Sequence, residues 1–257
     1  MPLPEFPDIE VTLEEYVATV EISSGPMNFL SVPLLENLVS VWEWADQEPS
    51  CRVIILCSKG SVFSAGANFT DFMGGGAVSP EPLYKLALKL FQANTPVIAA
   101  IQGAAVGAGL GLAMIADERV AAPKAKFVAN FVQLGFHPGF GLSASLPHVI
   151  GPSQSASLLM SAKRINSEDA LKLGLINECI PAENLLDAAR ARANMIASNA
   201  PIAVCDVRKT LRAPLIDAVD KALKHELEMQ LKHFKTKDFG EGVKAMLSKR
   251  EPQFKGL

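Results

Sequence analysis

Two short stretches combine the end of a strand with a run of glycine and other small residues. Both have the chemistry to hold an oxygen that carries or gains negative charge. The first is Gly107-Ala108-Gly109-Leu110-Gly111, which follows the β-branched run Val97 to Ile101 and leads into an apolar segment expected to be helical as far as Asp117. Glycine at such a corner lets a ligand approach the backbone closely. The first N–H groups of the following helix have no internal partner and carry partial positive charge, which suits an oxyanion. The second is Phe63-Ser64-Ala65-Gly66-Ala67-Asn68-Phe69, where a strand again runs into small residues. Three other readings of the first stretch stay open. Ile98 to Ala116 has the length and apolarity of a membrane span, though Gln102 interrupts it. The glycines approach a dinucleotide-binding turn, but Leu112 stands where the last glycine belongs. They also suit close helix packing alone.

These corners need a scaffold, and the pattern around them is strand, helix, strand, helix, strand, which predicts a parallel sheet with right-handed crossovers. Ile9 to Ser23 reads as a hairpin turning at Glu14-Glu15. A helix capped by Ser31, with Pro33 in its first turn, presents Leu34, Leu35, Leu38, Val41, Trp42 and Ala45 on one face. Arg52 to Cys57 is a continuous apolar strand. Pro80 to Asn94 is an amphipathic helix through Leu83, Leu86, Leu90 and Phe91. Val120 to Ala122 and Phe127 to Val128 are short strands, and Gln133 to Gly141 is a turn region. Helices are expected from Ser153 onward, at Ser167 to Gly174, and then near 182–199, 202–212, 215–235 and 239–249; Leu175 to Pro181 supplies a strand. The last helices have apolar stripes with no sheet partner in sequence, so they are expected to pack on a neighbouring subunit. The glycine-rich loop from Met73 to Ser79 has the composition of a lid or of a solvated loop.

With 257 residues, 49% of them hydrophobic, and a net charge of −3, the chain has the balance of a soluble globular protein with no general basic face for nucleic acid. Cys51, Cys57, Cys179 and Cys205 lack the spacing of metal ligands and read as buried free thiols in a reducing compartment. The start lacks the features of a signal peptide, and Lys255-Gly256-Leu257 is not a peroxisomal address, so a cytoplasmic location is expected.

Several motifs, in order, resemble those of the enoyl-CoA hydratase/isomerase, or crotonase, family across nearly the whole chain. Residues 63–69 resemble its F-x-A-G-A-D-[LI] motif. Pro96 to Asp117 resembles its P-[VT]-I-A-A-[IV]-x-G segment and the G-G-G that follows. Leu134 to Gly141 resembles L-G-[LI]-x-P-x-x-G, and Leu171 to Pro181 resembles A-x-x-x-G-L-[VI]-[ND]-x-[VL]-x-P. The resemblance implies an α/β fold, a crotonase-like spiral of ββα units with a C-terminal helical trimerisation region. Residues 1–200 would form the core with the acyl-CoA site, and residues 201–257 the oligomerisation region. A homotrimer or a dimer of trimers, an acyl-CoA thioester as ligand, and no cofactor beyond coenzyme A as part of the substrate are implied too. Two backbone N–H groups would take the thioester oxygen, those of Ala67 and Ala108; alanine in place of the family's glycine at 108 keeps the donor. The substrate-binding set implied comprises Asn28, Ser64, Ala65, Gly66, Asn68, Phe69, Gly107, Gly111, Phe131 and Gly139, with Phe254 and Lys255 at the chain end that reaches a neighbour's adenine pocket.

The departures from the family pattern concern the acids. Hydratases of the family use two glutamates; here the corresponding positions are Gly111 and Phe131. The acid that single-carboxylate isomerases place in the next motif is Gly139 here. No Asp or Glu occurs from Val97 to Ala116 or from Arg119 to Ser167, so no shift of alignment supplies one. Glycine and phenylalanine cannot move a proton, and standard hydration is expected to be weak or absent. His137 is the titratable side chain in the 134–141 turn, with two readings: a general base, or a structural group bonded to backbone beside Pro138. His148, Asp71 and Glu118 read as surface or capping residues, and Asn68 replaces the family's Asp. Phe69, Phe72, Phe131, Phe136 and Phe140 are candidates for an apolar acyl pocket or for core. The activities left are isomerisation, hydrolysis or another enolate reaction, with a non-catalytic acyl-CoA binder of the same fold as the alternative and a nicotinamide oxidoreductase more remote.

Overall fold

The structure, a computed structural model, describes residues 1–68 and 79–257. The glycine-rich loop up to Val78, Phe69, Asp71 and Phe72 therefore lie outside the described residues. A six-stranded sheet has the order β1 (Ile9–Glu14), β2 (Val17–Ile22), β3 (Val53–Ser58), β5 (Val97–Ile101), β7 (Glu118–Ala121) and β10 (Glu178–Cys179). Only β1 and β2 pair antiparallel; the other neighbours are parallel. A second sheet has the order β4 (Val62–Ser64), β6 (Ala104–Val106), β8 (Lys126–Val128) and β9 (Ile165–Asn166). The chain visits the large sheet, then the small one, then a helix, and repeats. β3 and β4 precede α2 (Glu81–Gln92), β5 and β6 precede α3 (Ala108–Ala113), and β7 and β8 precede α4 (Leu142–Ser161). This is the ββα repetition that the family resemblance implies, where the sequence pattern alone predicts a single parallel sheet.

All six residues of β3 are buried because the sheet is covered on both faces. Ile54 and Leu56 point to the main core with Leu34 and Leu38 of α1 (Val32–Gln47). Val53 and Ile55 point the other way, onto Leu185, Ala189 and Ala193 of α6 (Leu185–Ala197). The expectation that the later helices lack a sheet partner is thus corrected for α6. The alanine spacing lets it lie close against a sheet formed much earlier in the chain. Cys51 and Cys57 are buried, and burial pushes both thiols up to about 12. Cys179 and Cys205 are half-buried rather than buried.

Three further boundaries differ from the sequence reading. The apolar run Ile98 to Ala116 is split among β5, β6 and the six-residue α3; among the described residues no helix is long and apolar enough to cross a membrane. α4 starts at Leu142 rather than near Ser153, with a break at Gly151 (φ 76°, ψ 160°). The two helices expected at 202–212 and 215–235 are one, α7 (Pro201–His233), which runs through Pro214. A proline inside a helix costs roughly 3 kcal/mol. Here both sides of it are anchored: Arg208 and Arg212 reach Asp117 before it, and Leu215 and Val219 are buried after it. The short α5 (Ser167–Lys172) and the terminal α8 (Lys237–Leu247) complete the chain.

Candidate active site

The two glycine-rich bends interlock. Gly66 has φ 79°, a left-handed value that favours glycine, and a Cβ there would lie 2.6 Å from the Val106 carbonyl oxygen and 3.1 Å from the Ala108 nitrogen. The reverse approach is equally tight, since a Cβ on Gly109 would lie 2.3 Å from the Ser64 carbonyl oxygen. Glycine at 66 and 109 is therefore what allows the chain before Ala67 to touch the start of α3.

The backbone around this contact is braced. Asn28 is fully buried, and its Nδ2 donates to the carbonyls of Lys59 (3.0 Å) and Val62 (2.8 Å). The Ser64 hydroxyl donates to the Asn28 carbonyl at 2.8 Å and accepts from Gly66 N at 3.2 Å. Ala65 N donates to Met27 O, Leu30 N to Gly66 O, and Gly107 N to Val128 O. Among the described residues, no acceptor takes the N–H of Ala67 or that of Ala108. Ala108 opens α3, so it has no partner within the helix.

Both alanines face a cavity of about 40 Å³. Ala65, Gly66, Ala67, Gly107 and Ala108 form its backbone end. Leu83, Phe131, Phe136, Phe140 and Phe234 form apolar walls, and Tyr84, Asn130 and Gln230 are its polar side chains. The aromatic wall is consolidated by edge contacts of Phe136 with Phe131 (5.5 Å between centroids) and with Phe239 (5.7 Å).

The residues singled out in the sequence divide accordingly. Ala65, Gly66, Ala67, Gly107, Ala108 and Phe131 come together at the cavity, with Phe136 and Phe140. Asn28 and Ser64 stand behind the bend and brace it. The space in front of Gly111 is taken by Phe140, whose ring atoms would lie 2.7 Å from a Cβ at 111. The space in front of Gly139 is taken by the Tyr84 hydroxyl, 1.9 Å from where its Cβ would be. Asn68 adjoins the bend and has partners of its own. Phe254 is exposed and Lys255 donates its backbone N–H to Asp238 at 2.8 Å, so the chain end folds onto its own α8. His148 is exposed, and Glu118 pairs with Arg192.

His137 does not line this cavity; it lines a separate apolar depression with His233 and Met160. Its Nδ1 lies 2.7 Å from the Pro138 carbonyl and its backbone N–H donates to His233 Nδ1 at 3.0 Å. Of the two readings of His137, this geometry agrees with the structural one, a ring bonded to backbone beside Pro138. A turn that follows Pro138 so tightly directs the imidazole back to its own backbone.

Tyr84, Gln230 and Glu226 were not legible as site residues. Glu226 is fully buried on α7 and accepts from Gly141 N (2.8 Å), Ser143 N (3.0 Å) and the Ser143 hydroxyl (2.6 Å), capping α4 across the fold. Burial pushes its carboxyl above the ordinary value, against these hydrogen bonds. One turn on, Gln230 donates to the His137 carbonyl at 2.8 Å. Burial first, and the Glu226 carboxylate second, push the Tyr84 phenol well above its ordinary value; hydrogen bonds from the Phe140 backbone and Gln230 act the other way. The sequence did hold one signal for Tyr84: it shares a buried face of α2 with Ala87 and Phe91, and a phenol on such a face needs a polar partner.

A layered α/β core with an apolar cavity bordered by two main-chain donors that have no acceptor among the described residues is an arrangement suited to binding an oxygen atom. The particular family follows from the chain as a whole. The profile of the enoyl-CoA hydratase/isomerase family matches residues 12–257, and the chain belongs to that family. It is 33% identical over 254 residues to a probable enoyl-CoA hydratase of Bacillus subtilis, covering 96% of this chain and 98% of that one. It is 31% identical over 255 residues to the crotonyl-CoA hydratase of Syntrophomonas wolfei, covering 97% and 98%. The crystal structure of an enoyl-CoA hydratase/isomerase from Pseudoalteromonas atlantica superposes with a TM-score of 0.89 at 25% identity, covering 96% of this chain and all of that one.

Proposed function

We propose that this protein binds an acyl-CoA thioester with the carbonyl oxygen between the Ala67 and Ala108 N–H groups and stabilises the enolate that forms there. The observation that carries this reading is the pair of donors, without acceptors among the described residues, at one end of an apolar cavity. Two donors of this kind are worth roughly 3–4 kcal/mol each when removed singly. The relatives are named hydratases, yet the positions where the family resemblance would put the two hydratase glutamates hold Gly111 and Phe131 in this chain. The chemistry proposed is therefore isomerisation, hydrolysis or another enolate reaction. The second reading, a thioester binder without turnover, is favoured by the absence of Asp and Glu from the described cavity lining.

The test is spectroscopic. The carbonyl stretch of a carbon-13-labelled butyryl-CoA should move to lower frequency on binding. Ala108→Pro removes one donor at the first position of a helix, where proline is tolerated, and should abolish most of that shift. An unshifted band with the native chain would overturn the reading. Hydration of crotonyl-CoA should run far below the common enzyme median of ~10 s⁻¹.

A further inference from the structure

We infer that the Tyr84 hydroxyl is the group that carries a proton to and from the substrate carbon next to the thioester carbonyl. The inference rests on the oxyanion reading above and adds the missing acid–base partner. Three observations carry it. First, Tyr84 is the one ionisable side chain among the described residues that line the cavity. Second, its oxygen occupies the place of an absent side chain: a Cβ on Gly139 would lie 1.9 Å from it and 2.5 Å from Gln230 Nε2. An acidic residue at 139 and the Tyr84 hydroxyl cannot share that space, so the phenol has replaced a side chain rather than supplemented one. Third, the oxygen is held. Gln230 is fixed by its bond to the His137 carbonyl (2.8 Å), and its Nε2 stands beside the phenol oxygen, the two lying 2.5 and 1.9 Å from the same point in front of Gly139. An amide nitrogen is a donor, so beside it the phenol oxygen can accept while its own hydrogen is offered to a ligand.

The proton balance is simple. In one direction the Tyr84 O–H bond breaks and its electron pair stays on oxygen. The enolate C=C pair forms the new Cα–H bond, and the negative charge leaves the oxygen facing Ala67 and Ala108 as the carbonyl re-forms. In the other direction the phenolate takes the Cα proton, the C–H pair becomes C=C, and the carbonyl pair moves onto the oxygen held by the two amides. The phenol regains or loses its proton through water. Among the described residues, the Glu226 carboxyl on α7 is the charge that acts on Tyr84 through space, and it in turn feels His137. Because both burial and Glu226 keep the phenol protonated, donation to an enolate is the resting direction, and abstraction grows with pH.

Exchange of the α-hydrogens of butyryl-CoA in deuterated water, followed by mass increase, tests this without a known turnover reaction. The native chain should exchange, rising about tenfold per pH unit above neutrality. Tyr84→Phe should lower exchange by roughly 10²–10⁴-fold with butyryl-CoA affinity unchanged. The chain has two tyrosines, so in a Tyr16→Phe background, growth on 3-fluorotyrosine labels residue 84 alone. The more acidic phenol should shift the exchange profile to lower pH, which a merely structural tyrosine would not do. Native exchange that is absent, or unchanged in Tyr84→Phe, or a profile unmoved by fluorination, would overturn the assignment. A shifted carbonyl band with Tyr84-independent exchange removes only the role of Tyr84; an unshifted band removes the oxyanion reading as well.

Discussion

Glycine 111 shows how one residue decides which chemistry a site can support. With Phe140 ring atoms 2.7 Å from where its Cβ would stand, the position is closed, not merely short of an acid. Gly111→Glu should therefore give no gain in crotonyl-CoA hydration and should lower stability by roughly 1–3 kcal/mol through overpacking, read from denaturant midpoints. A large gain in hydration would show that Phe140 yields easily. At this scale the sequence was informative where backbone does the work. The two glycine-rich corners that meet at Ala67 and Ala108 are local patterns, and the interlocking of the bends needs only small residues near them; the pairing of these two N–H groups came from the family resemblance. Tyr84 and Gln230 were not, because their meeting depends on α2 and α7 crossing near residue 139, and no local spacing encodes that. His137 keeps two readings in the sequence for the opposite reason: its neighbours are visible, but the direction of its ring is not.

Helices α4 and α7 are joined by a cap that runs against sequence order. The N-cap of α4 is Gly141, which has no side chain to offer, and Glu226 supplies the acceptor from 85 residues away. Glu226→Ala leaves the N–H groups of Gly141 and Ser143 without this acceptor, and the variant should lose at least about 2 kcal/mol in denaturant unfolding. The variant should also change the pH dependence of stability. A carboxyl held above its ordinary value of 4.5 binds its proton more tightly in the native state than in the unfolded chain. Its contribution to stability is complete below that value and is lost as pH rises through its native value. The native chain should decline in stability over that window, and Glu226→Ala should flatten the decline. Early elements such as β3, β5 and α1 were readable because burial on both faces, β-branching and Ser31 capping are written locally. The early start of α4 and the continuity of α7 through Pro214 were not, because each is imposed by a partner distant in sequence.

At the scale of the whole molecule, α6 and α7 leave an apolar face uncovered among the described residues. On α7, Val207 and Leu211 are 59% and 67% exposed, four residues apart, with Ile202 at 79% nearby and Met195 of α6 at 71%. A groove of about 630 Å³ lies beside them, lined by Val204, Val207 and Leu211 on one side and by Ile196 and Pro96 on the other. Monomeric proteins rarely present a contiguous apolar surface of this kind unless it binds something. The charged groups beneath it are already engaged, since Arg208 and Arg212 both pair with Asp117 at 2.7 and 3.0 Å. What the face offers a partner is therefore apolar contact, the character of an obligate interface. The occupant predicted is another copy of this chain. Light scattering should give three or six times the 27.5 kDa chain mass. Leu211→Asp places a charge in the centre of the face and should shift the population to monomer. A native chain that is monomeric at micromolar concentration, or a Leu211→Asp variant with unchanged mass, would show that this surface does not hold the assembly together.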